Sequence, residues 1–251
     1  MLEYKQVSFA YEGKAGRLSA LDGLSFSVPA SSSAAVIGPS GCGKSTALLL
    51  AAGLLAPNGG EVLIDGKRLA HPRLQSALIL QDFGLLPWKT VYENAALGLE
   101  VRRTPAPDRR RRATQALAQV GLEAFANSYP RELSGGMRQR LALARVLALD
   151  VDLMLMDEPL SALDLLLRES MQDLLLTLWR QRHYTQLLVT HSVEEAVFLG
   201  QRIVVMSPRP GKVAAVIDNV GAAQPNYRRH PDFFIRCQEV RETLARHSRA
   251  T

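Results

Sequence analysis

The run Gly38-Pro39-Ser40-Gly41-Cys42-Gly43-Lys44-Ser45 sets three glycines, a lysine and a hydroxyl at the spacing that chemistry on phosphate groups requires. Glycines let a backbone approach an anion closely, and successive N–H groups then point at it. The run follows an apolar stretch, Ala34 to Ile37, and precedes one of helical composition, Thr46 to Leu55. A turn placed there aims the positive end of a helix at the phosphates of a nucleotide. Lys44 would reach the β- and γ-phosphates as a mobile charge, the Ser45 hydroxyl would take one position on Mg²⁺, and Thr46 can donate to another phosphate. The pattern arises by chance on the order of once in a hundred chains of this length. Cys42 fills a variable position and has no redox role.

A second constellation is Asp152-Leu153-Met154-Leu155-Met156-Asp157-Glu158-Pro159, an apolar strand ending in two acids. Neighbours on a strand point to opposite sides, so the two carboxylates have different tasks. Asp157 suits Mg²⁺ held through its water shell, and Glu158 suits the polarisation of a water attacking the γ-phosphate.

These residues need a scaffold, and 251 residues are enough for one large unit or a core with an inserted subdomain. A hydrophobic content of 47% and a charged content of 22% are ordinary for a folded domain and exclude disordered or collagenous classes. The net charge of +6 suits a phosphate-bearing partner or an anionic membrane surface and does not choose between them. Cys42 and Cys237 are too few for a disulfide framework or a metal site. The longest nearly uncharged apolar stretch, Ala47 to Ala56, falls short of the roughly 20 residues of a membrane span, and nothing marks export. A cytoplasmic, soluble chain is expected.

Alternation predicts strands over Leu2 to Phe9 and Leu24 to Val28, and short apolar runs predict others at Val62 to Asp65, Ala77 to Leu80, Leu153 to Met156, Leu187 to Thr190, Ile203 to Met206 and Val213 to Ile217. Between Asp82 and Asp150 the composition turns helical, with segments at Leu97 to Arg103, Ala113 to Val120 and Met137 to Leu149. A helical insert thus interrupts an α/β core with a parallel sheet. Pro225 onward reads as a basic tail with a helix from Phe233 to Arg246.

Leu133-Ser134-Gly135-Gly136-Met137-Arg138-Gln139-Arg140, just upstream of the acidic strand, resembles the signature sequence of the ATP-binding subunits of ABC transporters. Physically it is a serine N-cap and two glycines at a helix mouth, a second phosphate-facing helix end. The resemblance covers nearly the whole chain. It implies an α/β fold: a P-loop NTPase (RecA-like) core, residues 1–81 and 151–220, with an antiparallel β subdomain and an inserted α-helical subdomain over about 82–150, followed by a tail over 221–251. It further implies that Gln81 senses Mg²⁺ and γ-phosphate and relays to a membrane subunit. By the same resemblance Ser161-Ala162-Leu163-Asp164 forms the loop by which two such subunits touch, His191 is a switch contacting the γ-phosphate, and Tyr11 stacks on adenine. Ser192, where the family more often has an acid, and Ser31 to Ser33, in place of a Glu-Gly turn, are departures.

In the family's geometry the signature helix end faces away from its own phosphate loop, which implies a homodimer or paired ATP-binding subunits joined head to tail. Each ATP then lies between residues Gly38 to Thr46 of one and Ser134 to Gly136 of the other. The implied function is ATP hydrolysis coupled to solute uptake through a separate integral membrane permease, fed by a solute-binding protein, with the chain peripheral on the cytoplasmic membrane face. Gln81-Asp82-Phe83-Gly84-Leu85-Leu86-Pro87-Trp88 and Met206-Ser207-Pro208-Arg209-Pro210-Gly211 resemble the branch importing nitrate, sulfonates or taurine, the first expected at the membrane-subunit face and the second in the distal sheet. The alternative is an ABC-type ATPase acting on nucleic acid or ribosomes, for which Arg102, Arg103 and Arg109 to Arg112 would be the patch. A single signature and a single phosphate loop weigh against it, and no nucleic-acid partner is expected.

Overall fold

The structure, a computed structural model, describes residues 1–13, 16–222, 224 and 226–248. Pro225, where the basic tail was expected to open, and residues 249–251 lie outside the described residues. Strands β1 (Leu2–Gly13) and β2 (Gly16–Val28) form an antiparallel hairpin, β3 (Ser33–Ile37) departs to a second sheet, and β4 (Gly59–Ile64) and β5 (Lys67–Arg68) return to give the order β2-β1-β4-β5. The first two strands outrun the alternation that predicts them. Register shifts between Tyr4 and Ala10, with Gln6 at φ 49°, break the period of two before the pairing ends.

The second sheet contains β6 (Ser76–Ile79), β7 (Leu153–Asp157), β8 (Thr185–Val189), β9 (Arg202–Met206) and β10 (Val213–Asp218) in the order β10-β9-β3-β8-β7-β6. All its pairs are parallel except the β9–β10 edge. Its inner strands β3, β7, β8 and β9 are buried on both faces, as parallel strands are, whereas the edge strands β6 and β10 are partly exposed. Ala34 and Val36, with Leu153, Leu155, Leu187 and Val189, face a core shared with the antiparallel sheet, whereas Ala35, Ile37, Met154, Met156 and Leu188 face the helices. Each buried leucine contributes about 2 kcal/mol of transfer free energy. Parallel strands share one direction, so the segments leaving β3, β6, β7 and β8 emerge along a single edge.

Helix α1 (Lys44–Ala51) follows β3, then come α2 (Val91–Val101), α3 (Ala106–Gln119), α4 (Gly135–Leu147), α5 (Leu165–Arg182), α6 (Val193–Leu199) and α7 (Pro231–Ser248). α1 begins and ends earlier than its composition predicts: Gly53 N–H bonds the Leu50 carbonyl and Leu54 N–H the Leu49 carbonyl, closing the helix. α2 starts well before Leu97, because the Thr90 side chain accepts from Glu93 N–H and the Glu93 carboxylate accepts from Thr90 N–H. The last carbonyls of α4 and the turn after it are met by three guanidiniums: Arg112 Nε on Ala148 at 2.9 Å, Arg182 Nη1 on Leu147 and Leu149 at 3.0 and 3.1 Å, and Arg102 Nη1 on Asp150 at 3.0 Å. Cations there complement the negative helix end.

The C-terminal segment packs on this core. Phe233, Cys237 and Val240 of α7 are buried, and the Arg228 guanidinium lies 3.6 Å from the centroid of the Phe198 ring while bonding Asp173 and Gln172 on α5.

Candidate nucleotide site

The glycine turn after β3 opens directly into α1. The helix has Gly43 as its N-cap, with no side-chain cap and no acid in its first turn, so its N–H groups are left for an external anion. Gly43 sits at φ 101°, and a Cβ there would fall 2.6 Å from Leu21 Cδ2 and 2.8 Å from the Ala20 carbonyl oxygen. No other residue fits. Lys44, 8% exposed, donates from Nζ to the carbonyls of Gly38 at 2.8 Å and Pro39 at 2.9 Å, which holds its charge over the loop.

A cleft of about 350 Å³ lies against this turn, lined by Tyr11, Leu18, Ala20, Ser40, Gly41, Gly43, Lys44, Ser45, Thr46, Gln81, Glu158 and Arg209. Nine residues singled out in the sequence therefore meet in one place. The Tyr11 hydroxyl lies 3.1 Å from Thr46 Oγ1 and its ring is edge-on to Phe9, so the aromatic is anchored at the cleft wall and the Thr46 hydroxyl is engaged by it. Gly38 and Pro39 contribute as carbonyl anchors for Lys44. The Cys42 side chain is buried, with burial pushing its thiol pKa up, and it does not line the cleft.

Asp157 closes β7 beneath the cleft and is 7% exposed. Burial raises its carboxyl pKa, Glu158 adds to that, and the Ser45 hydroxyl and Lys44 oppose it. Its Oδ1 is buried without a hydrogen-bond partner. An orphaned carboxylate oxygen beside a serine hydroxyl is a donor set that fits Mg²⁺. Among the described residues no group of three His, Cys, Asp or Glu could hold a metal, so such an ion would share its shell with phosphate oxygens and water. Exposed Gln81, beyond the end of β6, lines the same cleft.

Glu158 has turned out of the strand into the left-handed region at φ 47°, its N–H bonding the Val189 carbonyl at 2.9 Å. Such strain in a non-glycine residue clusters at working sites. His191 follows β8, 64% exposed, with Nδ1 3.3 Å from Glu158 Oε1. Below it Thr190 Oγ1 donates to buried Glu195, Ser192 N–H donates to Thr190 Oγ1 at 3.0 Å, and Ser192 Oγ accepts from Glu195 N–H at 3.2 Å. Ser192, a departure in sequence, is thus the N-cap of α6.

The signature corner does not join this cleft within the chain. Ser134 caps α4 by accepting from Met137 N–H, and a Cβ at Gly136 would lie 3.2 Å from Leu163 Cδ2. Asp164 caps α5 by accepting from Leu167 N–H at 3.0 Å. Ser134 to Gly136 and the 161–164 loop are therefore neighbours outside the cleft. Two residues were not anticipated. Gln139, fully buried, donates to the Glu158 carbonyl at 3.4 Å and accepts from Ala162 N–H at 3.2 Å, tying the signature helix to the acidic strand end. Arg209 lines the cleft: a parallel bridge from Gly211 to Leu21 folds the loop that leaves β9 back beside the phosphate turn. The signal for Gln139 was an amide on the apolar face of a helix; nothing local marked Arg209.

A glycine turn from a central parallel strand, an acidic pair two strands away and a lysine held over the turn define a P-loop nucleoside triphosphatase. The model of the ABC transporter family matches residues 21–161, more than half of the chain, which belongs to that family of ATP-hydrolysing cassettes. It is 45% identical over 219 residues, 87% of this chain and 84% of the relative, to the taurine import ATP-binding protein TauB of Rhizobium johnstonii. It is 42% identical over 246 residues, 95% of this chain and 92% of the relative, to the TauB of Roseobacter denitrificans. Among solved structures, a dimeric post-hydrolysis state of the ATP-binding cassette MJ0796 bound to ADP and Pi superposes with a TM-score of 0.80 at 32% identity, covering 87% of this chain and 98% of that one.

Proposed function

We propose that this chain is the ATP-hydrolysing subunit of an importer for taurine or a related small sulfonate, working as a head-to-tail pair on the cytoplasmic side of a separate membrane permease. The observation that carries the catalytic part is the meeting of Lys44, Asp157, Glu158 and His191 along one sheet edge. The solute class rests on relatives named for taurine import that match most of the chain.

In this reading the α1 N-terminus, Ser45 and Lys44 hold the triphosphate, and Tyr11 supports the adenine. Ser45, Asp157 and Gln81 would hold Mg²⁺, which when bound supplies charge neutralisation on the phosphate oxygens. Glu158 accepts the proton of the attacking water and His191, in contact with its carboxylate, orients it. The Ser134 corner, outside its own chain's cleft, would present its helix end to the γ-phosphate in the second copy. Two copies closed on ATP separate once that phosphate leaves, and a permease engaged through the surface around Gln81 and Trp88, the latter 70% exposed, follows the change.

The nucleic-acid reading gains no support from the arginine run: Arg111 pairs with Asp108 and Arg112 is taken up by the Ala148 carbonyl. Uptake of labelled taurine, other sulfonates and nitrate by cells with and without this chain tests the proposal. Loss of sulfonate uptake alone is expected; unchanged uptake of all three contradicts it.

A further inference from the structure

We propose that Arg209 is a nucleotide-binding residue, a second cation of the cleft supplied by the loop between β9 and β10; this rests on the reading of the cleft as an ATP site. The loop is stitched to its surroundings on both sides. Gly211 N–H donates to the Ala20 carbonyl at 2.9 Å, Asp22 N–H donates to the Gly211 carbonyl at 3.1 Å, and Lys212 Nζ pairs with Asp22 Oδ2 at 2.7 Å. Its neck is closed by Ser207 N–H on the Lys212 carbonyl at 3.0 Å and Lys212 N–H on Ser207 Oγ at 3.1 Å. Against the phosphate turn there is no slack: a Cβ on Gly211 would lie 2.0 Å from the Cys42 carbonyl oxygen. Only glycine permits that approach.

The tip of this fixed loop carries Arg209. Its side chain is exposed, lines the cleft with Tyr11, Leu18 and Lys44, and among the described residues its guanidinium meets no hydrogen-bond or ion-pair partner. Most exposed arginines sit on mobile solvated faces, where their placement says little. Here the backbone is locked to the phosphate turn, and the other cation of the cleft is engaged by the carbonyls of its own loop. A planar, permanently charged fork in that position is the complement of a nucleotide's phosphate oxygens. Arg209 therefore binds ATP and ADP through its charge, from a part of the chain remote from the glycine turn.

The test is calorimetric titration of the full chain with ATP and with ADP. A charge-assisted contact of this kind predicts that Arg209→Ala raises both Kd values roughly tenfold, Arg209→Glu raises them further, and Arg209→Lys recovers most of the loss. Arg110→Ala, an equal charge loss on the exposed side of α3, is expected to bind as wild type. Kd values within about twofold of wild type for both Arg209→Ala and Arg209→Glu overturn the assignment, as does an equal loss in Arg209→Lys and Arg209→Ala. Lys44→Ala, titrated in parallel, separates the two readings. If it weakens ATP binding while the Arg209 variants do not, Arg209 alone is wrong; if wild type itself takes up no nucleotide, the ATP site is wrong.

Discussion

His191 Nδ1 and Glu158 Oε1 lie 3.3 Å apart, although one follows β8 and the other β7. The contact exists because the two strands are parallel neighbours, in register from Leu153 with Thr185 to Asp157 with Val189, and because Glu158 bends out of its strand with φ 47°. The carboxylate and the imidazole are thus held together by backbone pairing rather than by a flexible loop, as the base and orienting group proposed above would need to be. The same sheet edge carries the phosphate turn.

Replacing Glu158 by Gln keeps the side-chain shape and removes the proton acceptor. ATP affinity is expected to stay near that of wild type, while turnover falls by roughly 10²–10⁴-fold. Phosphate release and nucleotide titration on the same sample check this; turnover at the wild-type rate would remove Glu158 from the role of base.

Lys44→Ala acts earlier. It deletes the charge held over Gly38 and Pro39, so the Kd for ATP rises at least tenfold and hydrolysis is lost with it. An unchanged Kd would contradict the cradle.

Gln139→Ala deletes a buried amide side chain and the tie it makes between the Ala162 N–H and the Glu158 carbonyl, which keeps only the N–H and hydroxyl of Ser161 as donors. The expected cost is about 1–3 kcal/mol of stability, read from the denaturation midpoint, and lower turnover because the base sits on the affected peptide. Gln139→Glu at neutral pH should be worse, since it adds a buried charge.

Burial raises the pKa of Glu195, against the opposing pull of the Thr190 hydroxyl, Arg168 and His191, with Glu158 on the raising side. A carboxyl raised in the folded state contributes stability that is full below its unfolded value and is lost as pH rises through the folded value. The stability of wild type relative to Glu195→Gln is therefore expected to decrease as pH climbs from the ordinary carboxylate range. Denaturation midpoints of both proteins across that range measure it, and parallel curves would contradict it.

Legibility in the sequence followed how local each cause was. β3 and β7 were readable as apolar runs because both faces are buried, and the phosphate turn and acidic pair were readable because their spacing is set within one turn or strand. The N-terminus of α1 was not, since a helix mouth kept for phosphate lacks the capping residue that marks ordinary starts. The start of α2 was available in Thr90 and Glu93 but lay outside the apolar pattern used to find it. Gln139 and Arg209 owe their positions to partners distant in sequence, Glu158 and Ala20, which only the closed fold brings near. The tail is pinned through Arg228 on Phe198 and Arg241 on Glu194, contacts no window of sequence displays.

The measurement closest to the centre of this account is the solution mass of the Glu158→Gln protein with and without Mg-ATP. A cleft completed by the Ser134 corner of a second copy predicts a doubling from 27.5 kDa on adding ATP, abolished by an added Gly135→Glu that spares nucleotide binding. A protein that binds ATP and remains at 27.5 kDa would contradict it.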